Sequence, residues 1–129
     1  MSSPRGTTLV ELLTVLAILA LLAGIAWPGY LHWRARQWRL QAIEALLDVQ
    51  LQELRAHRRE GRYVPVAALH PPALPRGARL HLRLLAPDDY RALVELPLPA
   101  GTPCRRYVLG PRGPVHGAGA AGPSCWVHP

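Results

Sequence analysis

Few residues of this chain could do chemistry, and the first of them is an acid in an apolar setting. Glu11 is the sole charged residue in "GTTLVELLTVLAILALLAGIAW", which runs from Gly6 to Trp27. An acid at the middle of a membrane helix costs about 2.5–3.5 kcal/mol on insertion scales, so its presence there implies a partner and a function. Cys104 and Cys125 come next, with no C-x-x-C pair and no His at zinc-finger spacing between them. A disulfide is the reading this pattern favours. Closing such a loop would stabilise the fold by about 3 kcal/mol and would place this part of the chain in an oxidising compartment.

The other reactive side chains make no constellation. His32, His57, His70, His81, His116 and His128 are scattered, without i, i+4 or H-E-x-x-H spacing. Asp88 and Asp89 in "APDDYR" read as turn residues rather than an acid pair. Beyond Ser2 and Ser3 the single serine is Ser124, which adjoins Cys125 and makes a poor nucleophile. "GPRGPVHGAGAAGPS" has no Lys-Ser/Thr after it, so it is no phosphate cradle. The expectation is a chain that is not an enzyme, with no catalytic residues, no metal, no cofactor and no small-molecule substrate.

Length and composition bound what positions these residues. With 129 residues there is room for one domain and an anchor. The 14 Pro and 11 Gly fall mostly after position 60, Phe is absent and every basic residue is Arg. A net charge of +7 and a pI near 10.7 permit anionic partners such as nucleic acid or lipid headgroups, although a solvated basic surface explains them as simply.

From Leu12 to Leu31 no residue is charged, and about twenty residues at 1.5 Å each reach roughly 30 Å, the thickness of a bilayer's hydrocarbon core. The segment predicts one spanning helix. A cleaved secretory signal, with Arg5 as flank and small residues at Ala23–Ala26, is the alternative. The length of the run, Glu11, Pro28 and an interfacial cluster of Trp27, Tyr30 and Trp33 favour an anchor. Arg34, Arg36 and Arg39 follow the run and only Arg5 precedes it, which by charge alone would hold the C-terminal part in the cytoplasm. The cysteine pair argues the opposite orientation and is given more weight.

"RGTTLVELL", the apolar helix after it and "WPGY" together resemble the N-terminus of type IV prepilins and of the pseudopilins of type II secretion. The resemblance covers about 25 residues. It implies a leader, residues 1–6, that prepilin peptidase removes on the cytoplasmic side by cutting between Gly6 and Thr7. It implies methylation of the new N-terminus at Thr7, where the family usually carries Phe. It also implies an assembly ion pair between Glu11 and the amine of Thr7, of a neighbouring subunit or of the same chain, in place of a glutamate that snorkels to the headgroups. Pro28 falls where pilins carry a helix-kinking proline.

The partners so implied are other pilin subunits in a filament, prepilin peptidase and the inner-membrane assembly platform. The implied location is the bacterial inner membrane, single-pass, with the N-terminus cytoplasmic and the C-terminal domain periplasmic, then an extracellular pilus or periplasmic pseudopilus. The leading expectation is a minor pilin. Its rivals are a pseudopilin, a DNA-binding pilin with Arg76, Arg79, Arg83, Arg105, Arg106 and Arg112 as a phosphate-contacting patch, and an anchored periplasmic binding domain that never polymerises.

The elements follow an α+β, pilin-like ladle fold: residues 7–31 as the membrane half of a long helix, 32–60 as its amphipathic half, and 61–129 as a small antiparallel sheet of three to four strands with a disulfide-bounded C-terminal loop. Leu40, Ile43, Leu47, Leu51 and Leu54 recur at steps of three and four, with Arg39, Glu44, Asp48 and Glu53 off that stripe. The stripe reads as the face packed on the sheet, with a seam for a partner helix as the alternative. Gly61 reads as the helix stop, after Arg58 and Arg59. "ARLHLRLLA", a "PDD" turn and Tyr90–Leu98 make a hairpin, "CRRYVLG" from Cys104 a third strand, and "CWVHP" either a fourth strand or a tie for the tail.

Overall fold

The structure is a computed structural model that describes Gly6 and residues 8–129. One long helix, α1 (Leu9–Glu60), is followed by a 3-10 turn (Val66–Ala68) and four strands, β1 (Arg79–Ala86), β2 (Asp89–Glu95), β3 (Arg106–Gly110) and β4 (Gly113–Pro114). A short helix, α2 (Pro123–Val127), ends the chain. The chain forms two compact units, Met1–Ala35 and Arg36–Pro129. The α+β expectation holds: a long N-terminal helix, a four-stranded antiparallel sheet in the order β1-β2-β3-β4, and a Cys104–Cys125 disulfide.

Two links of the sheet are tight turns, and the third, between β2 and β3, is the longer segment 96–105. Ala86 pairs with Asp89 around Pro87 and Asp88, as the turn chemistry of "PDD" predicts, and a register shift beside Leu85 twists the end of β1. Gly110 pairs with Gly113 around Pro111 and Arg112. This fourth strand arises inside the Gly/Pro-rich segment that reads as loop, because a two-residue turn needs only Gly113 at φ +123° to reverse the chain. The tail is not a strand: Pro123 opens α2 at a position where its missing N–H is no loss. The third strand begins at Arg106 rather than Cys104, since Cys104 sits at φ +58°, outside the extended region.

The core of the second unit overturns one expectation. Ala42, Leu46 and Val49 of α1 are buried in one core with Tyr90, Ala92, Val94, Tyr107 and Leu109 of the sheet, and Ala45 and Ala56 are buried as well. Of the stripe assigned above to the core, Ile43 packs against it and Leu40 is half-buried, but Leu47, Leu51 and Leu54 are 49%, 45% and 44% exposed, and Glu53, assigned to the wet side, is fully buried. At 100° per residue the leucines lie across the helix from the alanines. The physical reason is volume. Two tyrosines of the sheet occupy the space under the helix, and small alanines let the backbones approach.

At the end of α1, Gly61 adopts φ +71° and donates its N–H to the His57 carbonyl at 2.8 Å, which stops the helix where expected. The turn after it is held by Tyr63, which stacks on His57 and meets Tyr90 edge-on, both at 4.7 Å between centroids.

Candidate functional site

The chemistry starts at the head of α1. Thr8 precedes the first helical residue, and its Oγ1 accepts the Glu11 N–H at 3.2 Å. Glu11 Oε2 in turn accepts the Thr8 N–H at 3.3 Å. This is a capping box, in which two N–H groups that the helix leaves without partners are satisfied reciprocally. It had a plain signal in the sequence, T-x-x-E, that the apolar context overshadowed. The box folds the carboxylate back toward the N-terminus, at the positive end of the helix dipole. Gly6 is described and exposed. Thr7, with its expected cleavage, methylation and pairing, lies outside the described residues, as does the rest of the leader before Gly6.

Downstream of Glu11 the helix is apolar on all sides. Leu12, Leu16 and Leu19 are each more than half exposed, at 52%, 53% and 56%. No contact within the described first unit buries them, so they suit lipid or other helices. α1 is long and apolar enough to cross a membrane. Pro28 lies within it without ending it.

In the second unit, Leu47, Leu51 and Leu54 with Gln50 form one wall of a shallow groove of about 300 Å³, closed by Tyr63, Tyr90 and Pro111. The groove puts three leucines at helical spacing on a surface that the fold itself does not use.

The C-terminal loop is pinned at several points besides the disulfide. The Ala121 N–H donates to the Arg106 carbonyl at 2.7 Å, and the Tyr107 hydroxyl donates to the Cys125 carbonyl at 3.3 Å. Trp126 packs edge-on against Tyr107 at 5.2 Å. Burial pushes the Tyr107 phenol above its ordinary value, only partly opposed by Arg39.

Arg79, Arg83, Arg105 and Arg106 do not gather into one patch. Arg105 bonds Glu95 at 2.6 Å, and Arg79 faces Glu95 across the β1–β2 ladder. Arg83 and Arg106 instead line a basin on another part of the sheet. Arg112 sits on the exposed β3–β4 turn, and Arg76 is exposed before β1.

Glu53 is the acid that the sequence pattern missed. Its Oε2 accepts the Val64 N–H at 2.9 Å, tying the chain after the helix back to α1, while Oε1 is buried without a hydrogen-bond partner. Desolvation raises its pKa above the ordinary carboxylate value, against the lowering effect of the Val64 bond. Burial is also the main cause that lifts Tyr90 and Tyr63 beside it.

Comparisons with known proteins bear on the N-terminal segment and on the chain as a whole. Residues 1–27 match the family model described as the prokaryotic N-terminal methylation motif. The type IV major pilin protein PilA of Myxococcus xanthus (strain DK1622) is 34% identical over 104 residues, which is 78% of this chain and 47% of that protein. The chain thus spans about half the length of the curated relative it matches. No solved structure matches it significantly. The motif and this relative together support a type IV pilin family for the chain. That family is structural rather than enzymatic.

Proposed function

We propose that the chain is a filament subunit of the type IV pilus class, anchored by the first unit, cut after Gly6 and packed into the filament through α1. The observation that carries the proposal is the leucine row Leu47, Leu51 and Leu54, turned away from the core that its own helix builds. Burying a leucine contributes about 1.5–3 kcal/mol, so a helix that leaves three in solvent is suited to a neighbouring helix. This is the partner-helix alternative for the stripe.

Cutting after Gly6 would free the Thr7 amine one residue from the capping box. Glu11, already folded toward that end, would then exchange a neutral N–H for a cation, in apolar surroundings where an unpaired charge is costly. Pairing with the amine of a neighbour would fix register, because a subunit displaced along the axis would leave both charges alone. Within the class we favour a minor pilin over a pseudopilin, on the disulfide-bounded C-terminal loop.

The test is a double substitution, Leu47→Ser with Leu51→Ser, expressed beside prepilin peptidase and the assembly machinery. Both side chains are exposed, so the variant should fold and be cut as wild type, yet its content in sheared filaments should fall at least tenfold. Wild-type content in the filaments would overturn the proposal. An uncut Gly6→Ala precursor serves as the control that processing was active, and the subunit's share of sheared filaments separates a minor from a major role.

A further inference from the structure

The face of the sheet turned away from α1 carries a feature that neither anchoring nor helix packing uses. Along β1, Arg79, His81 and Arg83 point to this face, with Arg91, Leu93 and Glu95 of β2 and Arg106 and Val108 of β3. At one end an acid sits among the bases, since Glu95 lies opposite both Arg79 and Arg106 in the ladders. At the other end two bases meet. Arg83 is placed directly across from Arg91, a like-charge pair that destabilises a sheet.

Around that pair the surface dips into a basin of about 290 Å³. Its floor is aliphatic, made of Leu93, Val108 and Val115, and its rim is Arg83, Arg91, Arg106 and His81. The far wall is the turn Gly117–Ala118–Gly119, all at positive φ, with Ala118 held at +49° although it is not a glycine. Arg91 is fixed by Asp89 at 2.7 Å. Among the described residues neither Arg83 nor Arg106 has an ion-pair partner, and Arg106 Nε is buried with no hydrogen bond at all.

We propose that this basin is a docking site for a short protein segment that presents carboxylates beside aliphatic side chains. Two guanidiniums without partners supply forked donors that match a carboxylate, and an acid between Arg83 and Arg91 would relieve their repulsion. The aliphatic floor needs an apolar side chain above it, and its volume suits one or two residues of Leu or Val size. A nucleic-acid strand fits less well. Its phosphates would meet the rim, but among the described residues no Phe, Tyr or Trp lines the basin to stack a base, and the floor would stay wet. The proposal does not depend on filament assembly, so its failure leaves the pilus reading untouched.

The test uses isotope-labelled full-length chain in detergent micelles, followed by NMR. The probes are acetyl-VELEV-amide, its uncharged twin acetyl-VQLQV-amide and an oligothymidylate of eight nucleotides. The acidic peptide should shift the amide resonances of Leu93, Val108, Val115 and Ala118, and should bind at least tenfold more tightly than the twin. Arg83→Gln with Arg106→Gln should weaken it at least tenfold, whereas Arg76→Gln, outside the basin, should not change it. Equal binding of the two peptides, or no binding of either, overturns the proposal. So does tighter binding of the oligothymidylate at the same resonances, which would make the face a nucleic-acid surface. Self-association overturns it too, if added unlabelled chain shifts these resonances and the peptide does not.

Discussion

Burial of Glu53 should make its contribution to stability more favourable in acid than at neutral pH, and replacing it by Gln should remove that dependence. The carboxylate is fully buried, with one oxygen on the Val64 N–H and the other without a partner. A buried polar group left short of partners costs about 1–3 kcal/mol, and a charged one costs more. Because desolvation raises the folded-state pKa above 4.5, the folded state binds the proton more tightly than the unfolded chain. Stability then falls as pH rises from the unfolded value through the folded one, by up to about 1.4 kcal/mol per pH unit, and levels off above it. Below the unfolded value both states are protonated and the loss is absent.

Glu53→Gln keeps an oxygen for the Val64 N–H and cannot ionise. Its stability advantage over wild type should therefore be least near pH 4 and grow toward pH 8, to about 1–3 kcal/mol. For a domain of this size 1 kcal/mol moves Tm by about 4–8 °C. The assay is urea or thermal unfolding of full-length chain in micelles, wild type and variant in parallel. Taking the difference cancels His57, Asp88 and Asp89 nearby. A difference that does not change with pH, or that favours Glu as pH rises, would refute the reasoning.

Two further outcomes follow from the backbone and the disulfide. Replacing Cys104 and Cys125 together by Ser should cost about 3 kcal/mol on the chain-entropy model, read as a drop in Tm that reductant reproduces in wild type and not in the variant. Gly61→Ala should cost about 1–2 kcal/mol in the same unfolding assay; nothing lies within 4 Å of the added methyl, so the whole effect comes from φ +71°, and Gly61→Asn should lose less.

What could be read in the sequence was whatever local chemistry dictates. Glu11 stood out against its apolar neighbours, Gly61 ended a helix after basic residues, "PDD" turned a hairpin, and two cysteines had no alternative partner. All but the cysteine pair, 21 positions apart, are settled within a few residues, and the resemblance then supplied the order of the parts. The fourth strand and α2 were hidden because "GPRGPVHGAGAAGPSCWVHP" has almost no hydrophobic period; their positions come from Gly113, Pro123 and the disulfide rather than from side-chain pattern. The Arg83–Arg91 pair was likewise invisible, since which arginines share a face depends on a register that only the paired strands fix.

The inverted helix face has a more general cause. A periodicity test gives leucine more weight than alanine, so it chose Leu47, Leu51 and Leu54 and missed the row Ala42, Ala45, Leu46, Val49, Ala56. The row that a helix buries is set by what faces it, and here β2 and β3 bring Tyr90 and Tyr107, both about 1% exposed or less. Large residues on the sheet require small ones on the helix if density is to be kept. The same swap accounts for Glu53: once alanines define the buried side, position 53 falls among them whatever its charge, and the acid is kept in place by the Val64 N–H. The leucines are then left for a surface that the monomer does not complete. In a chain that also leaves the apolar run of its first unit exposed, an unburied leucine row is more consistent with assembly than with a helix that merely tolerates solvent.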